Sequence, residues 1–156
     1  MDVGSGNSYP AGCLSNFTPN KFIFMGVQCN SMEGLLQSLK FKNPDMQRFV
    51  CTLTGIAAKR KGSRKNWKRD QVLWWDGQPI ERDSKSYQDL LDKAYLTMLQ
   101  DSTKFRNALL ASKTAVYTHS IGKRKISETV LTEQEFCKRL NMCRTVAIEE
   151  EKQNYN

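Results

Sequence analysis

Glu33, Gln37 and Lys40 stand at i, i+4 and i+7 of the segment Asn30 to Phe41. At about 100° per residue this spacing puts a carboxylate, an amide and an amine in one column on a helix. Met32, Leu35, Leu36 and Leu39 make an apolar stripe on the adjacent face, so the column can look into a cleft while the stripe enters the core. Such a trio suits a site that needs a proton-transfer group, a hydrogen-bonding selector and a nucleophile or cation. It also suits a solvated face with a weak Glu–Gln–Lys interaction, and spacing alone leaves both readings open. A lysine becomes nucleophilic only when neutral, which demands a pocket that disfavours its charge. A charged Glu33 would oppose that by holding the proton on Lys40.

Four other groups bear chemistry. Ser15 and Asn16 lie in a loop before a strand and could donate hydrogen bonds to sugar hydroxyls or phosphate, or simply form a turn. His119 is the only histidine; at a strand end it is either structural or part of the site. In Trp74-Trp75-Asp76-Gly77 one tryptophan is expected to be buried and the other partly exposed against a base, with Asp76 as polar partner. Between Lys59 and Arg69 seven cations and Trp67 occur with no acid, a run that reads equally as a solvated loop or as a loop that contacts phosphate and stacks its aromatic on a base.

The elements that must position these residues are mostly local in their signals. Residues up to about 20 are rich in Gly, Ser, Asn and Pro and read as loop, and Lys21 to Val27 as a strand turning near Gly26. Asn30 is the expected cap of the first helix, with Glu33 at the capping-box position. Asn43 and Pro44 open a second helix with the stripe Met46, Phe49, Val50, Leu53 and Ala57. Tyr87, Leu90, Leu91, Ala94, Tyr95, Met98 and Leu99 repeat at steps of three and four, a long helix, and Phe105, Leu109 and Leu110 continue in a shorter one. Ala115 to His119 reads as a strand, and Thr132 with Glu135 as the capping box of a last helix. The expectation is a helix-rich α+β single domain of about five helices and a few short strands. Residues 1–148 would form the catalytic domain and 149–156 a charged tail.

Composition narrows the class. The chain has 156 residues, 39% hydrophobic and 26% charged, which fits one globular domain. A net charge of +8 favours phosphate-bearing partners, nucleic acid among them. Five scattered cysteines without a CxxC pair argue against a disulfide framework or a structural metal. No apolar run approaches the ~20 residues of a membrane span, and the first residues lack the features of a signal peptide. No membrane partner and a cytoplasmic location are therefore expected.

One family resemblance joins these parts. Gly12 to Phe17 contains an S-N-F loop, Phe22 to Gly26 a short hairpin, and Ser31 to Phe41 the pattern S-x-E-x-x-x-Q-x-x-K-F. Together with Arg64-Lys65-Asn66-Trp67 and the order of Lys93-Ala94, Lys104-Phe105, Leu109-Leu110 and His119, the chain resembles the NADAR (YbiA-like) family over residues 12–145. The resemblance implies a pocket for ADP-ribose or ribose phosphate and cleavage of the bond from ribose C1″ to nitrogen. Lys40 matches the family lysine that forms a Schiff base with the opened ribose, and no cofactor is implied; Glu33, two turns before it, could protonate the leaving nitrogen, activate water or only position the substrate. Substrate contacts fall to Ser15, Asn16, Phe17, Gln37, Arg64, Asn66, Trp67 and His119, with Trp75 and Asp76 added from the double-tryptophan segment. After His119 the chain departs from the family pattern, and Ser120 to Leu131 is expected to shape the base side of the pocket.

The leading expectation is a hydrolase that removes ADP-ribose from modified nucleobases, in the manner of phage-encoded members acting in the host cytoplasm against a defence. Two others stay open: an N-glycosidase for a small phosphoribosyl-pyrimidine of the riboflavin pathway, and a non-catalytic ADP-ribose-binding module.

Overall fold

A computed structural model describes residues 1–155. Among them are six α-helices and four short strands, an α+β arrangement with two separate antiparallel hairpins. The first hairpin joins β1 (Phe22–Phe24) and β2 (Val27–Cys29) through a turn at Met25 and Gly26, both at positive φ. It leads into α1 (Met32–Ser38), whose Met32, Leu35 and Leu36 are buried. The cap is Ser31 rather than Asn30: Ser31 Oγ accepts from the Gly34 N–H, while Asn30 reaches across to the Thr52 carbonyl. Glu33 is therefore one position too early for a capping box, and its carboxylate is free for other work.

Two helices clasp α1. The first, α2 (Pro44–Cys51), is capped by Asn43, with Pro44 in the first turn. Its buried face is Gln47, Val50 and Cys51; Phe49 is 52% and Met46 37% exposed, against the stripe expected from spacing. Gln47 takes the inner position because its amide closes a polar knot: Nε2 donates to the Ser38 and Trp74 carbonyls, and Oε1 accepts from the Asp76 N–H. The second, α3 (Gly55–Ser63), holds the first half of the cationic run, which was expected as loop. Only Ala58 and Gly62 of α3 are buried, so no apolar stripe announces it, and Ala57 belongs to its exposed side. Close approach is possible because α1 meets the end of α2 and the turn after it at Gly34, and α3 at Gly62. A Cβ on Gly34 would lie 2.5 Å from the Leu53 carbonyl oxygen, and one on Gly62 would lie 1.8 Å from Gln37 Oε1.

Strands β3 (Val72–Trp75) and β4 (Gln78–Glu81) form the second hairpin, tied to α1 by the Trp74 N–H donating to the Leu39 carbonyl. Trp74 and Trp75 are both half-buried. The remaining wall is α4 (Lys85–Asp101), α5 (Thr103–Ala111) and α6 (Glu133–Asn154), the last opened by the Thr132–Glu135 capping box. The charged residues from Glu149 onward continue α6, and Glu150 pairs with Arg106 at 2.6 Å. Ala115 to His119 is no strand: Thr118 makes a single bridge to Asp2, because its partner is an isolated N-terminal segment. Buried Arg82 locks the second hairpin to α6 by a two-armed ion pair with Glu135 and donates to the Thr129 carbonyl. Among the described residues no helix is long and apolar enough to cross a membrane.

Candidate active site

The S-N-F loop, α1, the end of α3 and the segment after His119 enclose one cavity of about 650 Å³. It is within the size range of small-ligand and cofactor sites. Glu33, Gln37 and Lys40 line it, as do Ser15, Asn16, Phe17, Arg64, Asn66, Trp67 and His119. Trp75 and Asp76 do not. They line a different depression, where Trp75 packs edge-on against Phe24 and Asp76 lies 3.8 Å from Arg48. The hairpin turn points them away from α1's polar column. Trp67 is 6% exposed and joins the core, so it forms wall and offers no exposed platform for stacking.

The column is bonded internally. Gln37 Nε2 donates to Glu33 Oε1 at 2.8 Å, and Lys40 Nζ lies 3.5 Å from the Gly62 carbonyl oxygen. The loop is pinned to the helix because the Glu33 N–H donates to the Asn16 carbonyl. Asn16 Oδ1 accepts from Tyr95 Oη at 2.7 Å, which fixes the amide and leaves its NH₂ as the donor end. Ser15 Oγ accepts from the Phe17 N–H, so the serine serves the turn. His119 is oriented by Nδ1 at the Val3 carbonyl and by Phe136, edge-on at 5.1 Å. This N-terminal strap was read as plain loop; Asp2 accepts from Ser120 and Thr118, and no short-range pattern could have announced it.

Burial acts on the two ionisable groups in opposite directions and with one chemical result. It pushes the Glu33 carboxyl above its ordinary value, against the Gln37 hydrogen bond and the pull of Lys40, Lys59 and His119. It lowers Lys40 to about 8, against the pull of Glu33, with Lys68 and Lys123 assisting. Desolvation favours the neutral form of each group. The cavity thus weakens the charge on both groups and raises the share of neutral amine at Lys40, where desolvation outweighs Glu33's hold on the proton. Lys59, Arg64, Lys65, Lys68 and Lys123 line the same cavity, with Glu128 as the other acid. Lys123 and Glu128 come from the Ser120 to Leu131 segment, which no motif marked residue by residue. Among the described residues no three His, Cys, Asp or Glu side chains group as metal ligands.

The Gly62 contact yields a direct test. Alanine there must push the Gln37 amide away from Glu33. Gly62→Ala should cost about 1–3 kcal/mol in urea denaturation, the usual range for overpacking. In a Gln37→Ala background the cost should fall below about 1 kcal/mol, since the two nearest atoms, Oε1 and Cδ, are gone and only Cβ at 3.0 Å remains. Equal costs in both backgrounds would place the strain elsewhere.

Comparison with known proteins gives three matches. A family model described as bacteriophage protein GP30.3 matches residues 8–145. A 17.1 kDa protein encoded in the Gp30–rIII intergenic region of Enterobacteria phage T4 is 36% identical over 146 residues, covering 92% of this chain and 96% of the T4 protein. The NMR structure of the E. coli protein YbiA superposes with a TM-score of 0.62 at 17% identity, covering 96% of this chain and 86% of YbiA.

Proposed function

The chain belongs to the bacteriophage protein GP30.3 family and has the fold of YbiA, and on that footing we propose that it is an N-glycosidase that removes ADP-ribose from modified nucleobases in nucleic acid. The observation that carries this reading is the pairing of a neutral-favouring acid and amine, Glu33 and Lys40, in one cation-lined cavity. In the first step the Lys40 amine attacks ribose C1″. The C1″–N bond breaks with its electron pair going to the base nitrogen, which takes the Glu33 proton. The ribose ring then opens: the ring oxygen keeps the C1″–O electron pair and receives one of the two protons that Nζ carries after the attack, relayed by the Glu33 carboxylate, leaving a protonated Schiff base between C1″ and Nζ. Water adds to C1″ and the amine departs, so the net reaction consumes one water and returns the lysine. Gln37 and Asn16 orient the sugar, and the surrounding cations hold the diphosphate.

Release of free base from an ADP-ribosylated oligonucleotide, followed by chromatography, tests the activity. The cationic run tests the substrate class. Replacing Arg60, Lys61 and Arg69, the cations of the run that do not line the cavity, by glutamine should lower kcat/KM on the oligonucleotide about tenfold at low salt and spare kcat, because distant phosphate contacts steer without touching the reacting bond. Each lost contact should flatten the plot of log kcat/KM against log salt by about 0.7 on single strands. Unchanged salt dependence would take nucleic acid out of the substrate and favour a small phosphoribosyl compound.

A further inference from the structure

Outside the cavity, the exposed face of α2 is unexplained by the fold. Phe49 and Met46 keep 52% and 37% of their surface in solvent. With Phe41 and Pro44 they line an open groove of about 910 Å³. Three ammonium groups sit over its aromatic surroundings: Lys61 at 5.9 Å from the Phe49 ring, Lys65 at 5.3 Å from Phe41, and Lys42 at 5.1 Å from Trp74. The one acid in the groove, Asp45, is paired with Arg48 at 3.2 Å. Lys65 lines both this groove and the cavity that holds Lys40. The two are therefore neighbouring compartments with a shared cationic wall.

We propose that this groove is a second nucleotide site, which stacks an unmodified base on Phe49 and holds its phosphates with Lys61 and Lys65. The occupant is the single strand that flanks the nucleotide held in the catalytic cavity. A half-exposed aromatic among cations accepts any base by its π face while the cations follow the backbone. Only an unstacked strand can offer that face. A second copy of the chain fits less well, since a two-fold contact would bring the same lysines against each other in a protein of net charge +8.

The inference rests on the nucleic-acid reading of the cavity, so its test must not depend on catalysis. Fluorescence anisotropy of a short labelled oligothymidylate, free of any ADP-ribose, provides that. Phe49→Ala should weaken binding about 5- to 100-fold, the contribution of one stacked base, and Phe49→Trp should retain it. Undiminished binding by Phe49→Ala, or equal loss in both variants, would overturn the site. Base release from an ADP-ribosylated mononucleoside, too short to reach the groove, should be unchanged in Phe49→Ala; an equal loss on this substrate would also overturn it. If no substrate is turned over at all, the N-glycosidase reading fails while the oligothymidylate result still decides the groove. Self-association by sedimentation velocity that Phe49→Ala abolishes would assign the face to a second copy and refute the proposal.

Discussion

Lys40→Ala is expected to reduce base release by on the order of 10³-fold or more, because it deletes the atom that attacks C1″ in the proposed reaction. Lys40→Arg should be as inactive, since a guanidinium stays protonated and has no lone pair to offer. In the parent protein, borohydride added with ADP-ribose should trap a covalent adduct that peptide mass spectrometry places on Lys40. Parent-rate turnover by Lys40→Ala, or an adduct elsewhere, would end the Schiff-base scheme. The same residue should reveal itself in stability. Lys40 titrates at 10.5 when unperturbed and at about 8 in the fold, so between these values the unfolded chain holds more protons and stability rises with pH. The cost of burying its charge is present in full below pH 8 and absent above 10.5. Lys40→Met should therefore melt higher than the parent near neutral pH, and the gap should close in alkali. A gap that does not change with pH would attribute it to packing.

Glu33→Gln is expected to cost about 10²- to 10⁴-fold in turnover, the usual contribution of a proton donor. Its pH profile carries more information than its rate. Burial favours the neutral form of both groups, and the proposed reaction draws on the one-proton form of the pair that carries the proton on Glu33. Parent kcat/KM should thus be bell-shaped, falling above about pH 8 as the pair loses its last proton. In Glu33→Gln the acid is gone, and the residual rate should instead rise with pH as Lys40 is freed. That rise should come below pH 8, because the carboxylate that favoured the ammonium has been removed. A parent profile that only rises through pH 8 would make Glu33 a base.

Much of the positioning frame was legible because its signals are local. The Asn43–Pro44 start, the run from Tyr87 and the Thr132–Glu135 box each concern residues within a few turns of one another, and each formed as expected. Helical pitch sets Glu33 and Gln37 on one face, while α1 ends at Ser38, short of the Phe41 expected, and Lys40 is carried by the closing turn in which its N–H donates to the Gln37 carbonyl; one cavity receives all three. Where local rules failed, a distant partner had decided. Gln47 displaced Phe49 from the buried side of α2 because Ser38, Trp74 and Asp76 present three backbone groups that only an amide could satisfy together. The cationic run is partly helical because Gly62 lets α3 lie against Gln37, a contact no amphipathic pattern encodes.

Chemical capacity and tertiary environment divide along the same line. By itself, the sequence determined which functional groups exist and which share a helical face, since covalent identity and a repeat of 3.6 residues need no other part of the chain. It could not determine their protonation. Whether Lys40 is an ammonium on a wet surface or an amine in a pocket depends on what covers it. Here the cover comes from the Ser15 to Phe17 loop, the end of α3 and the segment after His119, which are remote in sequence. The same enclosure removed Trp67 from solvent. Desolvation belongs to the assembled neighbourhood of a group, so only the tertiary structure could raise the carboxyl of Glu33 and lower the amine of Lys40.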